Sequence, residues 1–519
     1  VNASPESARL RPAPLAAALA VALLAAAIRL IALDRLPPGL FRDEAEKGYN
    51  AFALAETGAA LEFDAESIEL RRRPFVIRVA GVKTSTIYQY ASIPFVKAFG
   101  PTVAATRAAA AVAGMLTVAL LGLLLLRAWP AAAALAATLW LALCPWHFVF
   151  SRWALQGIFV PLGLVGALAG VAAVERGRRW GFALAGASLG FVFYAYAGAQ
   201  PFVLLFGAAL AVVYRREIRA APIPFAVGVG LLALLAAPRV VVMFGEGGAH
   251  RLDAVAVWTA PDATALNSFG RIALNYVAHF NPVFLFFSGD ELPRHALPGF
   301  GQLIWLDAIF LPLGAWATLR RRLPMSRALL LMFVCGPIGA AITRVGIPHA
   351  LRALPMVVPA AVWSGVGAVE CGRLLAERFS RSAAAARALA AAPALLGLVC
   401  AAWALRFYWV EFPERPDVLK AFAANERRAL ERVFAERGPG DRVFVNQDSE
   451  EFIVYLVLFY GRLAADRVAA GGAESLGVYF YIDPSFETQE ARFAAMNPGD
   501  WIVDAHPETK ALTARRKRN

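Results

Sequence analysis

Apolar segments long enough to cross a bilayer recur at about 15–33, 103–126, 131–149, 154–174, 180–197, 199–213, 222–243, 302–319, 327–343, 350–370 and 388–408. A hydrocarbon core needs roughly 20 helical residues to span it, so this pattern describes a polytopic α-helical membrane protein with about eleven transmembrane helices. Composition agrees. Of the 519 residues, 59% are hydrophobic and 17% charged, against roughly 25% charged in soluble domains. Intrinsic disorder and collagen-like repeats are excluded by the same apolar content and by glycines and prolines that follow no period.

The formal net charge of +13 would raise nucleic-acid binding in a soluble protein, but here the arginines have a topological explanation. Arg9 and Arg11, then Arg127, then Arg176, Arg178 and Arg179, then Arg215, Arg216 and Arg219 fall on alternate loops. Arg320, Arg321, Arg322 and Arg327 continue the series, followed by Arg373, Arg378, Arg381 and Arg387. The intervening short loops carry mainly Arg152 and Arg344. The positive-inside rule then puts the N-terminus in the cytoplasm and the C-terminus outside, which an odd number of spans requires. The first apolar run reads as a retained helix, being long for a signal sequence and followed by no clear cleavage site. Cys144, Cys335, Cys371 and Cys400 lie in or beside apolar runs without metal-ligand spacing, and read as small buried hydrophobes.

Two external loops are long, at 34–102 and 244–301, and residues 410–519 change character. Strand-like runs at 442–446, 478–482 and 501–504 alternate there with helix-like stretches, notably 417–437 closed by Gly438. The expected organisation is a membrane module over 1–409 and a small external α/β domain over 410–519.

The first external loop opens FRDEAEKGYNAFALAETG, with Asp43 and Glu44 at the start of an amphipathic helix that Gly58 can end. One reading is capping, with Asp43 at the N-cap, Glu46 three residues on, and Lys47 one turn away as a partner for Asp43. The other is a carboxylate at the membrane surface acting as a general base. The same loop holds Arg71, Arg72, Arg73, Arg78 and Lys83 on the side where the positive-inside rule disfavours them. They suit either a basic stretch resting on lipid headgroups or a site for a lipid phosphate, for which arginine offers paired donors.

The second loop contains NYVAHFNPVFLFFSGDELPRHALPGFG, in which His279, Asp290, Glu291, Arg294 and His295 surround an aromatic run too short to span. An interfacial helix followed by turn chemistry at Asp290 accounts for it, as does a site. Two more helix ends are polar: His147, Ser151 and Arg152 in one, Arg344, His349 and Arg352 in the other.

Taken together, the acidic pair with Tyr49 and Gly58, IYQYASIPFVKAFG followed by Arg107, PWHFVFSR, HFNPVFLFFSGDELPRHALPG and PHALRALPMVVP resemble the GT-C membrane glycosyltransferases. Within them the likeness is to the protein O-mannosyltransferase and aminoarabinose-transferase group, and it covers roughly residues 13–412. The resemblance implies transfer of a sugar from a polyprenyl-phosphate carrier to an acceptor on the external face, usually with inversion. It implies Asp43 as base with Glu44 its acidic neighbour, and it calls for cations at the donor phosphate. Arg71, Arg72, Arg73, Arg294, His295, Arg344, His349 and Arg352 are the candidates. One departure bears on metal: where mannosyltransferase-like members often carry an acid shortly after Ser-Arg, Gln156 and Gly157 follow Ser151 and Arg152. This departure tells against a metal site and against mannosyl transfer in particular, and it leaves the cofactor open, a divalent metal being possible but not supported by the sequence. The heavy use of Ala and Arg points to a GC-rich bacterial source, hence an inner membrane. A transporter or lipid flippase is the alternative from another class. It sits less well with charged residues that crowd the external helix ends instead of the bilayer midplane.

Overall fold

The computed structural model describes residues 12–63, 68–79, 82–245, 254–446, 453–481, 486–505 and 512–518; Arg9 and Arg11 lie outside them. In chain order, α1 (Pro12–Leu30) and α2 (Arg42–Thr57) precede four short strands, β1 (Ala59–Phe63), β2 (Ile68–Arg72), β3 (Val76–Val79) and β4 (Val82–Ser85). Then come α3 (Ile87–Phe99), α4 (Val103–Leu126), α5 (Ala131–Leu143), α6 (Pro145–Phe150), α7 (Phe159–Glu175), α8 (Trp180–Ala195) and α9 (Gln200–Val213). After a short helix come α10 (Pro222–Phe244), α11 (Ala265–Ala278), α12 (Asp307–Arg320), α13 (Ser326–Cys335), α14 (Val357–Phe379) and α15 (Ala383–Val410).

Each of the eleven apolar segments is helical over most of its length, and among the described residues six helices can cross a membrane by length and composition: Pro12–Leu30, Val103–Leu126, Gln156–Glu175, Pro222–Phe244, Leu354–Phe379 and Ala383–Glu414. The others are shorter for local reasons. The segment at 131–149 breaks at Cys144, where Pro145 lacks the N–H to continue the ladder and opens α6 instead. The segment at 327–343 is interrupted at Gly336 and Pro337. Small residues set the helix contacts: a Cβ on Gly186 of α8 would come 1.9 Å from the Gly228 carbonyl oxygen of α10, and one on Gly314 of α12 would come 1.9 Å from that of Trp363 in α14. Such close backbone approach is how helices pack where no hydrophobic driving force separates protein from solvent.

The chain divides into two compact units. One consists of Val1–Ile31, Ala110–Ser151 and Gln156–Phe412 and holds most of the apolar helices. The other consists of Ala32–Ala109, Arg152–Leu155 and Pro413–Asn519, so the first long loop belongs with the tail. The physical reason is burial. Within this second unit, α2 packs on α18 (Ile453–Tyr460), whose residues Ile453–Phe459 are all buried. Tyr49 donates to the Leu463 carbonyl at 3.0 Å and Tyr455 to that of Leu61 at 3.2 Å.

The tail contains both helices and strands. The expected helix over 417–437 is two, α16 (Pro416–Ala421) and α17 (Ala424–Glu436), separated at Ala423, which has φ 51°. Its strands β5 (Val443–Asn446), β6 (Val478–Tyr481), β7 (Trp501–Ala505) and β8 (Leu512–Arg516) form a sheet of order β6-β5-β7-β8. The first three are parallel and β8 is antiparallel to β7. The loop's sheet has order β2-β1-β3-β4.

Candidate functional site

Two clusters of candidate residues stand out, one in each unit. The first is the start of α2. The helix is capped at Phe41, not at Asp43: the Phe41 N–H donates to Glu44 Oε2 at 3.0 Å, while the Phe41 carbonyl accepts from the N–H groups of Glu44 and Ala45. The reciprocal acid of this cap is therefore Glu44, where spacing alone suggests Glu46. Gly58 ends the helix as expected, at φ 71°. Lys47 pairs with Glu46 at 3.1 Å, both buried, instead of with Asp43. Glu46 also accepts from Asn50 and Gln89, each at 2.9 Å, and Asn50 Oδ1 accepts from the Leu61 N–H, so one buried polar network joins α2 to α3 and β1.

The adjacent acids have opposite surroundings. Glu44 is fully buried and gripped by Arg107, Nε to Oε1 at 2.8 Å and Nη2 to Oε2 at 2.9 Å. Its Oε1 also accepts from the Ala154 N–H at 2.8 Å. Arg107 directs its other donors to the carbonyls of Leu33, Pro37 and Gly39. A buried ion pair persists only when its remaining hydrogen-bond capacity is filled, and here both partners are saturated. Arg152 is engaged likewise, donating to the Leu36 carbonyl at 3.2 Å. The Asp43 side chain is 46% accessible, with Arg42 Nε 3.9 Å away. One carboxylate is a fixture and its neighbour is open to a substrate. Arg71, Arg72 and Arg73 are exposed at the end of β2, with Arg71 Nε 3.7 Å from Glu62.

The second cluster forms in the other unit, where the loop before α12 meets the turn before α14. Gly289, at φ 71°, turns the chain after the aromatic run, and a Cβ there would come 2.7 Å from the Phe300 carbonyl oxygen. Asp290 follows, its Oδ1 accepting from the Leu292 N–H at 2.9 Å, the turn chemistry its spacing predicts. Its Oδ2 does more, accepting from His295 Nδ1 at 3.0 Å and from the Ala350 N–H at 2.8 Å, and lying 4.0 Å from His349 Nδ1. The His295 and His349 rings are 4.9 Å apart, and Phe150 stacks on His295 at 5.5 Å. His279 supports the group from behind: its Nε2 accepts from the His349 N–H and its Nδ1 donates to the Asn275 carbonyl.

Electrostatics sort these groups. Burial alone would raise Asp290, but the hydrogen bond and charge of His295 together with two backbone N–H groups bring it below the usual carboxylate range. Burial, with the charges of His295 and Arg352 against it, pushes His349 down to about 2. Protonation of His349, a candidate phosphate cation by sequence, is disfavoured because it would place a charge in a dry site beside His295 and Arg352. His279 is lowered, chiefly by burial.

The remaining cations are dispersed. Arg352 donates to Thr343 Oγ1 at 2.7 Å and to the Val345 carbonyl at 3.1 Å. Exposed Arg344 reaches the Ala254 carbonyl, and Arg294 is half-buried beside His295 in the chain. Three features escape a reading of the sequence. Asp290 reads there as a turn residue or as part of a site, and its partnership with Ala350, 60 positions away, is not visible from its neighbours. Arg107 carries no local sign of its partner. Arg29 does carry a signal, as the one charge in the apolar run of α1, and it is fully buried with its Nη2 2.7 Å from His147 Nδ1.

The chain has the fold of the GT-C membrane glycosyltransferases, as the motif resemblance implied. In particular it is similar to ArnT from Cupriavidus metallidurans in the apo state, with TM-score 0.55 and 13% identity over 96% of this chain and 97% of that one. The undecaprenyl phosphate-bound structure of that protein aligns with TM-score 0.51 and 14% identity, covering 96% and 93% of the two chains. The oligosaccharyltransferase of Archaeoglobus fulgidus in its apo form aligns with TM-score 0.53 and 14% identity, covering 91% of this chain and 70% of that one. No protein-family model and no curated protein sequence matches the chain.

Proposed function

We propose that this chain is an integral-membrane glycosyltransferase that moves a hexose or pentose from a polyprenyl-phosphate carrier to an acceptor hydroxyl on the external face of a bacterial inner membrane. The observation that carries the reading is the divided acidic pair, within a fold shared with ArnT, which has been crystallised with undecaprenyl phosphate. Asp43 is the accessible carboxylate of that pair. In the proposed reaction Asp43 takes the proton of the acceptor hydroxyl, and the hydroxyl oxygen attacks the anomeric carbon. The bond from that carbon to the carrier phosphate breaks, with its electron pair leaving on the phosphate and inversion at the carbon. Glu44 is a positioning residue, since both its oxygens are committed to Arg107 and backbone N–H groups. Preorganised positive charge near a leaving anion usually lowers the barrier of such a reaction more than any other single effect. Arg71, Arg72 and Arg73, which share a unit with Asp43, are the residues we assign to that role, and Arg294, His295, Arg344 and Arg352 are the candidates for it in the other unit. Eleven spans, a cytoplasmic N-terminus and an external tail complete the proposal.

The transporter alternative finds less support. Asp307 is the first residue of α12, bonded to Trp140 Nε1 and the Ile304 N–H, and Glu370 is paired with Arg321 and Arg373. Neither is an unengaged acid at the middle of a span, where transporters place their sites.

The test is mass spectrometry of the lipids that copurify with the wild type and with Asp43→Asn, which keeps size and removes the base. A polyprenyl-phosphate sugar enriched in the variant is the expected result and identifies the donor by mass. Absence of such a lipid from both proteins overturns the transferase reading, and equal retention removes Asp43 from the chemistry.

A further inference from the structure

We infer that Asp290, His295 and His349 bind one divalent transition-metal ion of the zinc class. One oxygen and two imidazole nitrogens from these residues lie within 4.8 Å of one another, and all three residues are buried. Two imidazoles with one carboxylate make a donor set typical of zinc and its neighbours, and unlike the all-oxygen shells that magnesium and calcium take.

The spacing fits. Ligand atoms about 2.0–2.1 Å from a tetrahedral ion stand roughly 3.3 Å apart. Asp290 Oδ2 lies 3.0 Å from His295 Nδ1 and 4.0 Å from His349 Nδ1, distances that bracket that value. An independent observation points the same way: His349 Nδ1 is buried and makes no hydrogen bond among the described residues, in a residue only 8% exposed. A buried imidazole nitrogen without a partner is costly, and a metal ion would satisfy it.

The surroundings are those of a ligand set already held in place. Asp290 is oriented by the Leu292 and Ala350 N–H groups, and Phe150 stacks on His295. His279, both of its ring nitrogens engaged, fixes the backbone at His349 and is not itself a ligand. Outer contacts of this kind orient metal ligands and tune their affinity. Binding would replace the His295 Nδ1 proton, which leaves to solvent, by the ion. Three protein ligands leave a fourth position open, for water or an oxygen of a phosphate. The metal site does not rest on the transferase reading; only a phosphate as fourth ligand would.

The test uses the full-length protein in detergent, stripped with a chelator, desalted and titrated with Zn²⁺ against a chromophoric competitor. Bound metal is counted by elemental mass spectrometry, and Co²⁺ is substituted for its visible spectrum. One equivalent per chain and a four-coordinate Co²⁺ spectrum are expected. His349→Ala and Asp290→Asn should each weaken binding beyond the roughly 10–100-fold that loss of an outer contact costs, and His349→Cys, which supplies another ligand, should restore it. Should either truncating variant fail to fold, X-ray absorption of the zinc-loaded wild type decides between two imidazoles in the shell and none. No stoichiometric uptake by the wild type would overturn the inference and leave a hydrogen-bonded Asp–His pair. Equal uptake by folded His349→Ala, or a shell without imidazole, would overturn it by putting the metal elsewhere.

Discussion

Asp43 and Glu44 are consecutive carboxylates, yet a helix sends consecutive side chains about 100° apart, and the two meet different media. Glu44 turns inward to Arg107, and Asp43 stays in solvent. Glu44→Gln keeps the shape but leaves a fully buried guanidinium without its countercharge, a loss of the kind that costs about 3–5 kcal/mol. Asp43→Asn, at a half-exposed position, should stay within about 0.5 kcal/mol of the wild type. Thermal unfolding of both variants in one detergent checks this. Equal melting temperatures would show that the Arg107 pair contributes nothing net, whereas loss of activity in both with loss of stability in Glu44→Gln alone would separate positioning from chemistry.

At the scale of elements, α2 is the piece on which the acidic pair depends, and two glycines define its ends and its packing. Gly58 holds φ 71° with nothing near a hypothetical Cβ, so Gly58→Ala incurs only the left-handed backbone penalty of about 1 kcal/mol. Gly48 faces the opposite constraint: its backbone is ordinary helix, but a Cβ would come 2.4 Å from Thr106 Oγ1 and 2.7 Å from Phe459. Gly48→Ala should therefore destabilise by about 1–3 kcal/mol through overpacking and displace the polar network around Glu46. Relief of that loss by the further change Thr106→Ala, which removes both the Oγ1 at 2.4 Å and the Cγ2 methyl at 2.9 Å from the same Cβ, is expected in Gly48→Ala and not in Gly58→Ala. If both glycine variants respond alike, the distinction between strain and crowding is wrong.

At the scale of the whole molecule, the arginine pattern and the proposed external chemistry make one topological prediction. Cysteines at 144, 335, 371 and 400 are replaced, and single cysteines are introduced as Arg178→Cys, between α7 and α8, and Ala435→Cys, in the tail. An impermeant maleimide applied to intact cells with a permeable outer layer should label the second and not the first, with both labelled once the membrane is opened. The reverse pattern would turn the protein over and put the acidic pair on the cytoplasmic side.

Composition and period were enough to specify the medium and the elements. The apolar runs became helices, six of them among the described residues long enough to cross a bilayer, where lipid leaves a backbone no partner but itself. Gly58 ended α2 where a residue without Cβ can turn left-handed, and three of the tail's strands, β5, β6 and β7, lie within a residue or so of their apolar runs, while β8 had no such run to announce it. These are local consequences, readable from neighbours in the chain. Which polar groups meet depended on the folded molecule. Capping moved to Phe41 because Arg107, 63 residues from Glu44, pulls that acid inward. The first loop joined the tail because α2 buries its face on α18, whose own hydrophobicity carries no address. Asp290, a turn residue to local reasoning, became the centre of a buried cluster once Ala350 and His349 were folded onto it. Burial then disfavoured protonation of His349, and neither that burial nor the arrival of a distant partner is encoded by the residues on either side of it.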